Sequence, residues 1–454
     1  MFDKIKIVYM LGIGGIGMSA LARYFNVSGC KVAGYDKTST PLTDELKNEG
    51  IQIHFEDDIK IAESVLKNSA AENVLIIYTP AIPKDHREMN FLKEKGYVLH
   101  KRSEILGLIS KHMHCVAIAG THGKTTTSSM VAHMLKDSGN GCNAFLGGIT
   151  TNYNTNLLLD NKAKTIVVEA DEFDRSFLKL FPDVAVITSM DADHLDIYGD
   201  QDEMIKSYND FAAQVKSTGK VIVKAGLPVQ RKENIVKYAL EEKVNYYASN
   251  IRVTNGTYTY DMYTPEGEIK DVQIGLPGRH NVENSVAAFA VGNLLGIDAL
   301  KIKSALASFK GVKRRFEYVM KSDNAILIDD YAHHPEELRA CISSVKEMYP
   351  GKRVLGVFQP HLFTRTRDFA IEFARSLELL DEVVLLEIYP ARELPIEGVN
   401  AAMLLNLINK KDKKLLSKQE VPAYVKSRNA DVVLTLGAGD IDKMVEPIKA
   451  ALVK

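Results

Sequence analysis

The 454-residue sequence predicts an α/β protein in three blocks, residues 1–105, 106–313 and 314–454, built on mostly parallel sheets with antiparallel strands in the middle block. Three observations carry this expectation. Short, continuous apolar runs alternate with helical patterns along most of the chain. Two of those runs open into glycine-rich loops that lead into helices. Residues 244–275 break the pattern, with Tyr246, Tyr247, Tyr258, Tyr260 and Tyr263 set among Thr and Gly and a turn at Pro265-Glu266-Gly267.

The apolar runs are Ile5–Leu11, Val32–Tyr35, Val74–Tyr78, Val116–Ala119, Ile166–Val168, Val184–Thr188, Val221–Lys224, Ala325–Ile328, Val354–Phe358, Val383–Glu387 and Val432–Leu436. Runs of this length without polar alternation suit strands covered on both faces, as in parallel sheets. Helical segments between them predict repeated βαβ units. The tyrosine-rich stretch predicts antiparallel hairpins, because aromatic and β-branched residues fit a pleated surface. The first boundary follows Lys101-Arg102-Ser103-Glu104, and the second falls in Lys310-Gly311-Val312-Lys313.

Composition narrows the class. Hydrophobic residues make up 46% and charged residues 25%, as in soluble globular proteins. Lys plus Arg is 57 and Asp plus Glu is 58, a net charge of −1. Neither nucleic acid nor an anionic membrane is an expected partner of so balanced a chain. Cys30, Cys115, Cys142 and Cys341 lie far apart and form no C-x-x-C pair, which argues against a disulfide framework or zinc knuckle and fits a reducing cytosol. Lys4, Lys6 and Ala20-Leu21-Ala22 imitate a signal peptide. Gly12, Gly14, Gly15 and Gly17 interrupt the apolar stretch such a peptide needs as a helix, so none is expected. No run reaches the ~18 apolar residues of a membrane span.

Ile5–Leu11 leads into Gly12-Ile13-Gly14-Gly15-Ile16-Gly17 and a helical Met18–Phe25. This is G-x-G-x-x-G in the strand-to-helix setting where glycines let backbone approach a diphosphate at a helix N-terminus. Gly14, Gly15, Ile16 and Gly17 are the expected contacts, and Asp36 stands where a dinucleotide fold places its ribose-binding acid. Alone, this loop suggests an NAD-dependent oxidoreductase. A second loop follows Val116–Ala119. Gly120, Thr121, His122, Gly123, Lys124, Thr125 and Thr126 can wrap phosphates, with Lys124 on the β/γ oxygens and the Thr125 hydroxyl on Mg²⁺. Ile118 occupies the first glycine position of a strict P-loop, so this is a shorter variant with Gly120 inside it. It predicts ATP binding.

Later strands end in polar clusters, where ligands of open α/β sheets collect. Glu169-Ala170-Asp171-Glu172 and Asp191-Ala192-Asp193-His194 can converge on phosphates and hold Mg²⁺. Asp191 and Asp193 capping a helix above His194 is the structural alternative. A metallohydrolase site of His194, His333, His334 and His361 is a further alternative, but no tight ligand spacing supports it. Asp329-Asp330-Tyr331-Ala332-His333-His334-Pro335 and Gln359-Pro360-His361-Leu362-Phe363-Thr364-Arg365 follow strands in the third block. Arg315 can reach a γ-phosphate from the side, while Lys313 and Arg314 better suit surface charges.

Taken in order, GIGGIGMS at 12–19, GTHGKTTT at 120–127, EADEFDRSF at 169–177, DADHLDIYG at 191–199, GRHNVENSVAA at 278–288, RRFE at 314–317, DDYAHHP at 329–335 and QPHLFTRTRD at 359–368 resemble the Mur ligase family of peptidoglycan synthesis. The opening motif, with HHP and QPH, favours the alanine-adding member over its later partners, and the nearest rival is the enzyme that reattaches a recycled tripeptide. The resemblance implies three domains: an N-terminal Rossmann-like domain for the UDP moiety, a central P-loop ATPase and a C-terminal Rossmann-like domain. It implies UDP-N-acetylmuramate and L-alanine as substrates, ATP and Mg²⁺ as cofactors, and a cytoplasmic monomer or weak homodimer. It implies that Lys124 contacts ATP phosphates, and that Thr125, Glu169 and His194 serve magnesium. Asn281 and Asn284 would lie by the adenine, and Arg315 and Asp330 would reach ATP. Tyr331, His333 and Arg365 would hold alanine and the reacting carboxylate. Leu362 stands where some relatives carry Arg, and Phe55-Glu56 replaces a Gly-His. The implied chemistry phosphorylates a carboxylate to an acyl phosphate, which the alanine amine attacks. His333 is the candidate to orient that amine or take its proton.

Overall fold

The computed structural model describes residues 2, 4–67, 69–191, 195–254, 256–322, 325–391 and 393–453. They form two compact units. One comprises residues 1–247, 264–266 and 286–305, and the other 248–263, 267–285 and 306–454.

The first unit opens with five parallel strands: β1 (Ile7–Leu11), β2 (Lys31–Tyr35), β3 (Gln52–His54), β4 (Val74–Tyr78) and β5 (Leu99–Lys101), in the order β3-β2-β1-β4-β5. All five residues of β1 are buried. Ile7, Tyr9 and Leu11 enter one apolar cluster, and Val8 and Met10 another, so both faces are covered. That is why the run reads as continuously apolar.

A second sheet in the same unit holds β6 (His114–Ala119), β7 (Asn143–Thr150), β8 (Thr155–Leu158), β9 (Thr165–Glu169), β10 (Val184–Ile187), β11 (Lys220–Lys224) and β12 (Ile235–Leu240). Their order is β12-β11-β10-β6-β9-β7-β8, parallel except for β7 against β8. Val8 and Met10 of β1 share their cluster with Cys115, Ala117 and Ala119 of β6 and with Ile166 and Val168 of β9, so one core serves both sheets. A polar clamp adds to it. Arg23, buried on the helix Ile16–Val27, donates to Asn156 Oδ1 at 2.6 Å and to Glu49 at 2.7–3.0 Å. Asn156 donates back to the Ile16 carbonyl at 2.6 Å. The helix that carries the first glycine loop is thereby fixed on β8.

The second unit contains most of β13 (Tyr246–Thr254) and β14 (Thr257–Thr264) and all of β15 (Gly267–Ile274), neighbours in sequence order, with the turn at 265–266. It also contains β16 (Glu317–Lys321), β17 (Ile326–Asp330), β18 (Val354–Phe358), β19 (Glu382–Leu385), β20 (Lys413–Leu415) and β21 (Val432–Leu436). These run β16-β17-β21-β18-β19-β20, parallel apart from β16. Leu327, Leu355, Val357, Val384 and Val433 form the core of one face. The cysteines are free thiols. Cys115, Cys142 and Cys341 are buried and Cys30 partly so. Among the described residues no helix is long and apolar enough to cross a membrane.

Glu382, at the start of β19, is fully buried and accepts from Arg353 Nη2 and Arg428 Nε at 2.6 Å and from Tyr424 Oη at 2.7 Å. Removing it strands two guanidiniums, but these are 39% and 31% exposed and can turn to water. The loss in Glu382→Ala is therefore about 2 kcal/mol, below the ~3–5 kcal/mol of a wholly buried pair, and the urea unfolding midpoint should fall accordingly.

Candidate active site

The chain leaves β1 through Gly12, whose φ is +84°. A Cβ there would lie 2.4 Å from Thr79 Cγ2, so only glycine fits. Gly15 caps the helix Ile16–Val27 without a side chain, and the first turn has no acidic residue. The first turn itself therefore contributes no anion, which leaves its N–H groups favourable to a bound one. Asp36 is tied to the loop backbone. Its Oδ2 accepts the Gly14 N–H at 2.7 Å and its Oδ1 the Thr38 N–H at 3.2 Å, so it braces the loop. Lys47 lies 4.4 Å over the Phe55 ring, in the segment where Phe55-Glu56 departs from the family pattern.

The second loop lies at the carboxyl end of β6. Gly120 has φ +134°, and a Cβ there would meet Thr188 Oγ1 at 2.1 Å. Gly123 caps the helix Lys124–Asp137 in the left-handed region. Because β6 lies between β9 and β10, the residues after those strands gather around the loop. Thr121 Oγ1 donates to the Asp191 carbonyl at 2.7 Å, and Ser189 Oγ accepts the His122 N–H at 2.8 Å. His122 Nε2 lies 3.6 Å from Asp191 Oδ2. Lys124 Nζ donates to the Gly120 carbonyl at 2.7 Å and pairs with Glu172 at 2.8 Å. Burial alone would lower the lysine pKa. The carboxylates of Glu172, Asp171 and Glu169 outweigh it and hold the ammonium above its ordinary value.

Thr125 and Thr126 are buried in the first helical turn. Glu169 ends β9, and its Oε2 accepts the Gly147 N–H at 3.1 Å. The Thr125 hydroxyl and the Glu169 carboxylate, which is near enough to act on Lys124, are hard oxygen donors of the kind that suits Mg²⁺. The third expected magnesium ligand, His194, lies outside the described residues, as does Asp193. Among the described residues no three His, Cys, Asp or Glu side chains gather as a metal cluster.

In the second unit the turn Arg314-Arg315-Phe316 holds Arg314 at φ +61° and Phe316 at φ +50°. Arg314 is not the surface charge expected. Its Nε is 3.2 Å from Asp329 Oδ2, and its Nη2 donates to the Gly437 carbonyl at 2.7 Å. Arg315 sits 5.0 Å over the Tyr331 ring, with Nη1 3.7 Å from Glu337 Oε1. Glu337 Oε2 is 3.2 Å from His333 Nδ1, which also lies 2.9 Å from the Tyr331 carbonyl. Glu337 thus ties Arg315 to His333, a role the sequence reading missed. Its signal was there, since Glu337 is the third residue of a helix that opens with His334 as cap and Pro335 at its start. That capping role, with Phe369 5.0 Å from its ring, makes His334 structural. Glu172, flagged only within its cluster, is the lysine's direct partner.

His361 stacks on Tyr389 at 5.7 Å, lies 6.0 Å from the His333 ring, and has Nδ1 3.5 Å from Arg365 Nη1. Arg365 is buried in the helix Phe363–Asp368, and Leu362 caps it at φ +73°. Asn281 donates to the Pro277 carbonyl at 2.6 Å, and Asn284 donates to Asn281 at 3.4 Å, both at the start of the helix Arg279–Leu294. Burial drives the nearby His280 down to about 4, with Glu337 opposing and Arg315 assisting.

A glycine loop between a parallel strand and a helix, followed by a lysine and threonines, defines a P-loop nucleotide-binding protein of the α/β class. Three family descriptions match along the chain: "Mur ligase family, catalytic domain" at residues 7–114, "Mur ligase middle domain" at 118–292 and "Mur ligase, glutamate ligase domain" at 314–439. The chain belongs to the Mur ligase family. It is 52% identical over 451 residues to a Christiangramia forsetii protein named UDP-N-acetylmuramate–L-alanine ligase, covering 99% of this chain and 98% of that one. It is 49% identical over 453 residues to the Porphyromonas gingivalis (strain W83) protein of the same name, covering 98% and 99%. The crystal structure of the Thermotoga maritima UDP-N-acetylmuramate-alanine ligase superposes with a TM-score of 0.82 at 27% identity, covering 98% of each chain.

Asp330 gives the site a pH signature. Burial pushes its carboxyl up to about 7, against the Arg315 charge and the N–H groups of Phe316 and Ala332, each 2.7 Å away. An acid raised on folding stabilises the fold below its unfolded pKa, near 4, and loses that contribution as pH rises towards 7. Thermal unfolding should therefore show wild type losing stability between pH 4 and 7 more steeply than Asp330→Asn.

Proposed function

We propose that the protein joins L-alanine to the carboxylate of UDP-N-acetylmuramate at the expense of ATP, in peptidoglycan precursor synthesis. Its full-length relatives carry the name of that activity. One geometric observation carries the reading. The Arg102 side chain packs on Gly17 of the first loop and has Nη2 3.5 Å from Asp171, one residue from the partner of Lys124. Arg102 thus links the first loop to the acidic segment whose Glu172 pairs with Lys124 of the second, which supports transfer between a sugar nucleotide and ATP.

A carboxylate is a poor acyl donor because oxide would have to leave. Its oxygen attacks the γ-phosphorus, ADP departs, and an acyl phosphate forms. The alanine nitrogen then attacks the acyl carbon, loses a proton, and inorganic phosphate leaves. The first step brings two anions together, so cationic groups must offset their repulsion. Lys124, already oriented over its loop, and Arg315 are assigned that task. Thr125, Glu169 and His194 would hold Mg²⁺, which would supply further charge neutralisation at the phosphates. Asn281, Asn284 and Asp330 are assigned to ATP. Gly14, Gly15, Ile16, Gly17 and Asp36 are assigned to the UDP moiety. Tyr331, Arg365 and His333 are assigned to alanine and the reacting carboxylate. With Nδ1 directed at Tyr331 and Glu337, His333 presents Nε2 as its acceptor nitrogen. Three domains bounded at 105/106 and 313/314, a cytoplasmic location and a monomer or weak homodimer complete the proposal.

Phosphate release should require ATP, UDP-N-acetylmuramate and L-alanine together. Replacing alanine by a tripeptide should stop it, and turnover with the tripeptide alone would assign the protein to the recycling branch. Lys124→Ala should lower turnover about a thousandfold. Phosphate release undiminished without the sugar nucleotide would overturn the reading.

A further inference from the structure

The cationic side chains around the first glycine loop differ in how fully they are engaged. Arg23 is bound by Glu45, Glu49 and Asn156. Lys101 is held by Asp174 at 2.6 Å, a contact that raises its pKa. Arg102 differs. Its ion-pair partner among the described residues is Asp171, and the approach is a single one of 3.5 Å to a carboxylate that is 39% exposed. The Arg102 side chain itself is only 22% exposed. A guanidinium carries five donors in a planar fork suited to phosphate oxygens, and one loose approach leaves most of that capacity unused.

Its position says what it is for. A Cβ on Gly17 would lie 2.6 Å from Arg102 Nη1, 3.1 Å from Cζ and 3.2 Å from Cδ. The guanidinium therefore packs against the first turn of the helix Ile16–Val27, in space that a side chain at residue 17 would contest. The helix N-terminus and this cation lie side by side, with no acidic residue in the helix's first turn and with the nearby Asp36 carboxylate turned onto the Gly14 N–H.

We propose that Arg102 is a diphosphate-binding residue, one that belongs to neither glycine-loop motif and reaches the sugar nucleotide's phosphates from beside the first turn of the helix. This rests on the first loop being the UDP site. Binding exchanges the loose Asp171 approach for charge-assisted hydrogen bonds to phosphate oxygens, which are shorter and stronger.

Calorimetric titration of the full-length protein with UDP, uridine and ADP tests it. Arg102→Met keeps the stem that packs on Gly17 and removes the charge. Arg102→Lys keeps the charge without the fork. Arg102→Met should weaken UDP binding about 10- to 100-fold, the range expected for charge-assisted hydrogen bonds. Uridine and ADP binding should stay within twofold, and Arg102→Lys should recover part of the loss. With UDP-N-acetylmuramate as substrate, KM should rise while kcat changes less than threefold. UDP affinity within twofold of wild type in Arg102→Met would overturn the assignment. So would an equal loss for UDP and uridine, which marks a displaced loop, or a loss confined to ADP. If wild type itself fails to bind UDP, the reading of the first loop falls and Arg102 falls with it. Wild-type binding that Arg102→Met leaves intact removes only Arg102.

Discussion

An ammonium group taken out of water has to be answered by negative charge, and much of the central site follows from that requirement at Lys124. The lysine opens the helix after β6, so its answering carboxylate must come from a neighbouring strand. Glu172 provides it three residues after β9, which pairs with β6. β10, on the other side of β6, delivers Thr188 and Ser189 against the loop backbone. The strand order β10-β6-β9 is thus what allows a charged loop to be preorganised. The lysine is held in place by Glu172 and the Gly120 carbonyl before any ligand arrives, so little ordering would be left to be done on binding.

The same strand–glycine–helix device is used twice in one unit with different electrostatics. The second loop carries its own cation and has a carboxylate to balance it. The first carries no cation, and its nearby acid, Asp36, is turned onto the loop backbone. This is why the first loop imitates a dinucleotide fingerprint. Spacing places an acid after the second strand in either case, and here that acid accepts the Gly14 N–H.

Much of this was legible in the residues. Val74–Tyr78, Val354–Phe358 and Val432–Leu436 form strands with the bounds their apolar runs imply, because interior strands of parallel sheets are covered on both faces. β3, β5 and β20 are three-residue edge strands, too short to carry any period, and escaped notice. Arg314 was misjudged because nothing local distinguishes it from Lys313. Its partners Asp329 and Gly437 are 15 and 123 residues away. Arg102 was invisible for the same reason, since contact with Gly17 depends on how the helix Arg102–Lys111 returns to the sheet. Motifs identify the groups that touch ligands, but not the side chains that balance them from elsewhere in the fold.

The thiols bear on how the molecule can be handled. Burial pushes Cys115 and Cys142 up to about 12 and Cys341 well above its usual range, and Cys30 is shifted the same way. Alkylation and oxidation proceed through thiolate, which is scarce at neutral pH in all four. An engineered surface cysteine would therefore outcompete the native ones for a maleimide, and fluorophores could be attached in pairs without first stripping the chain of its own sulfur.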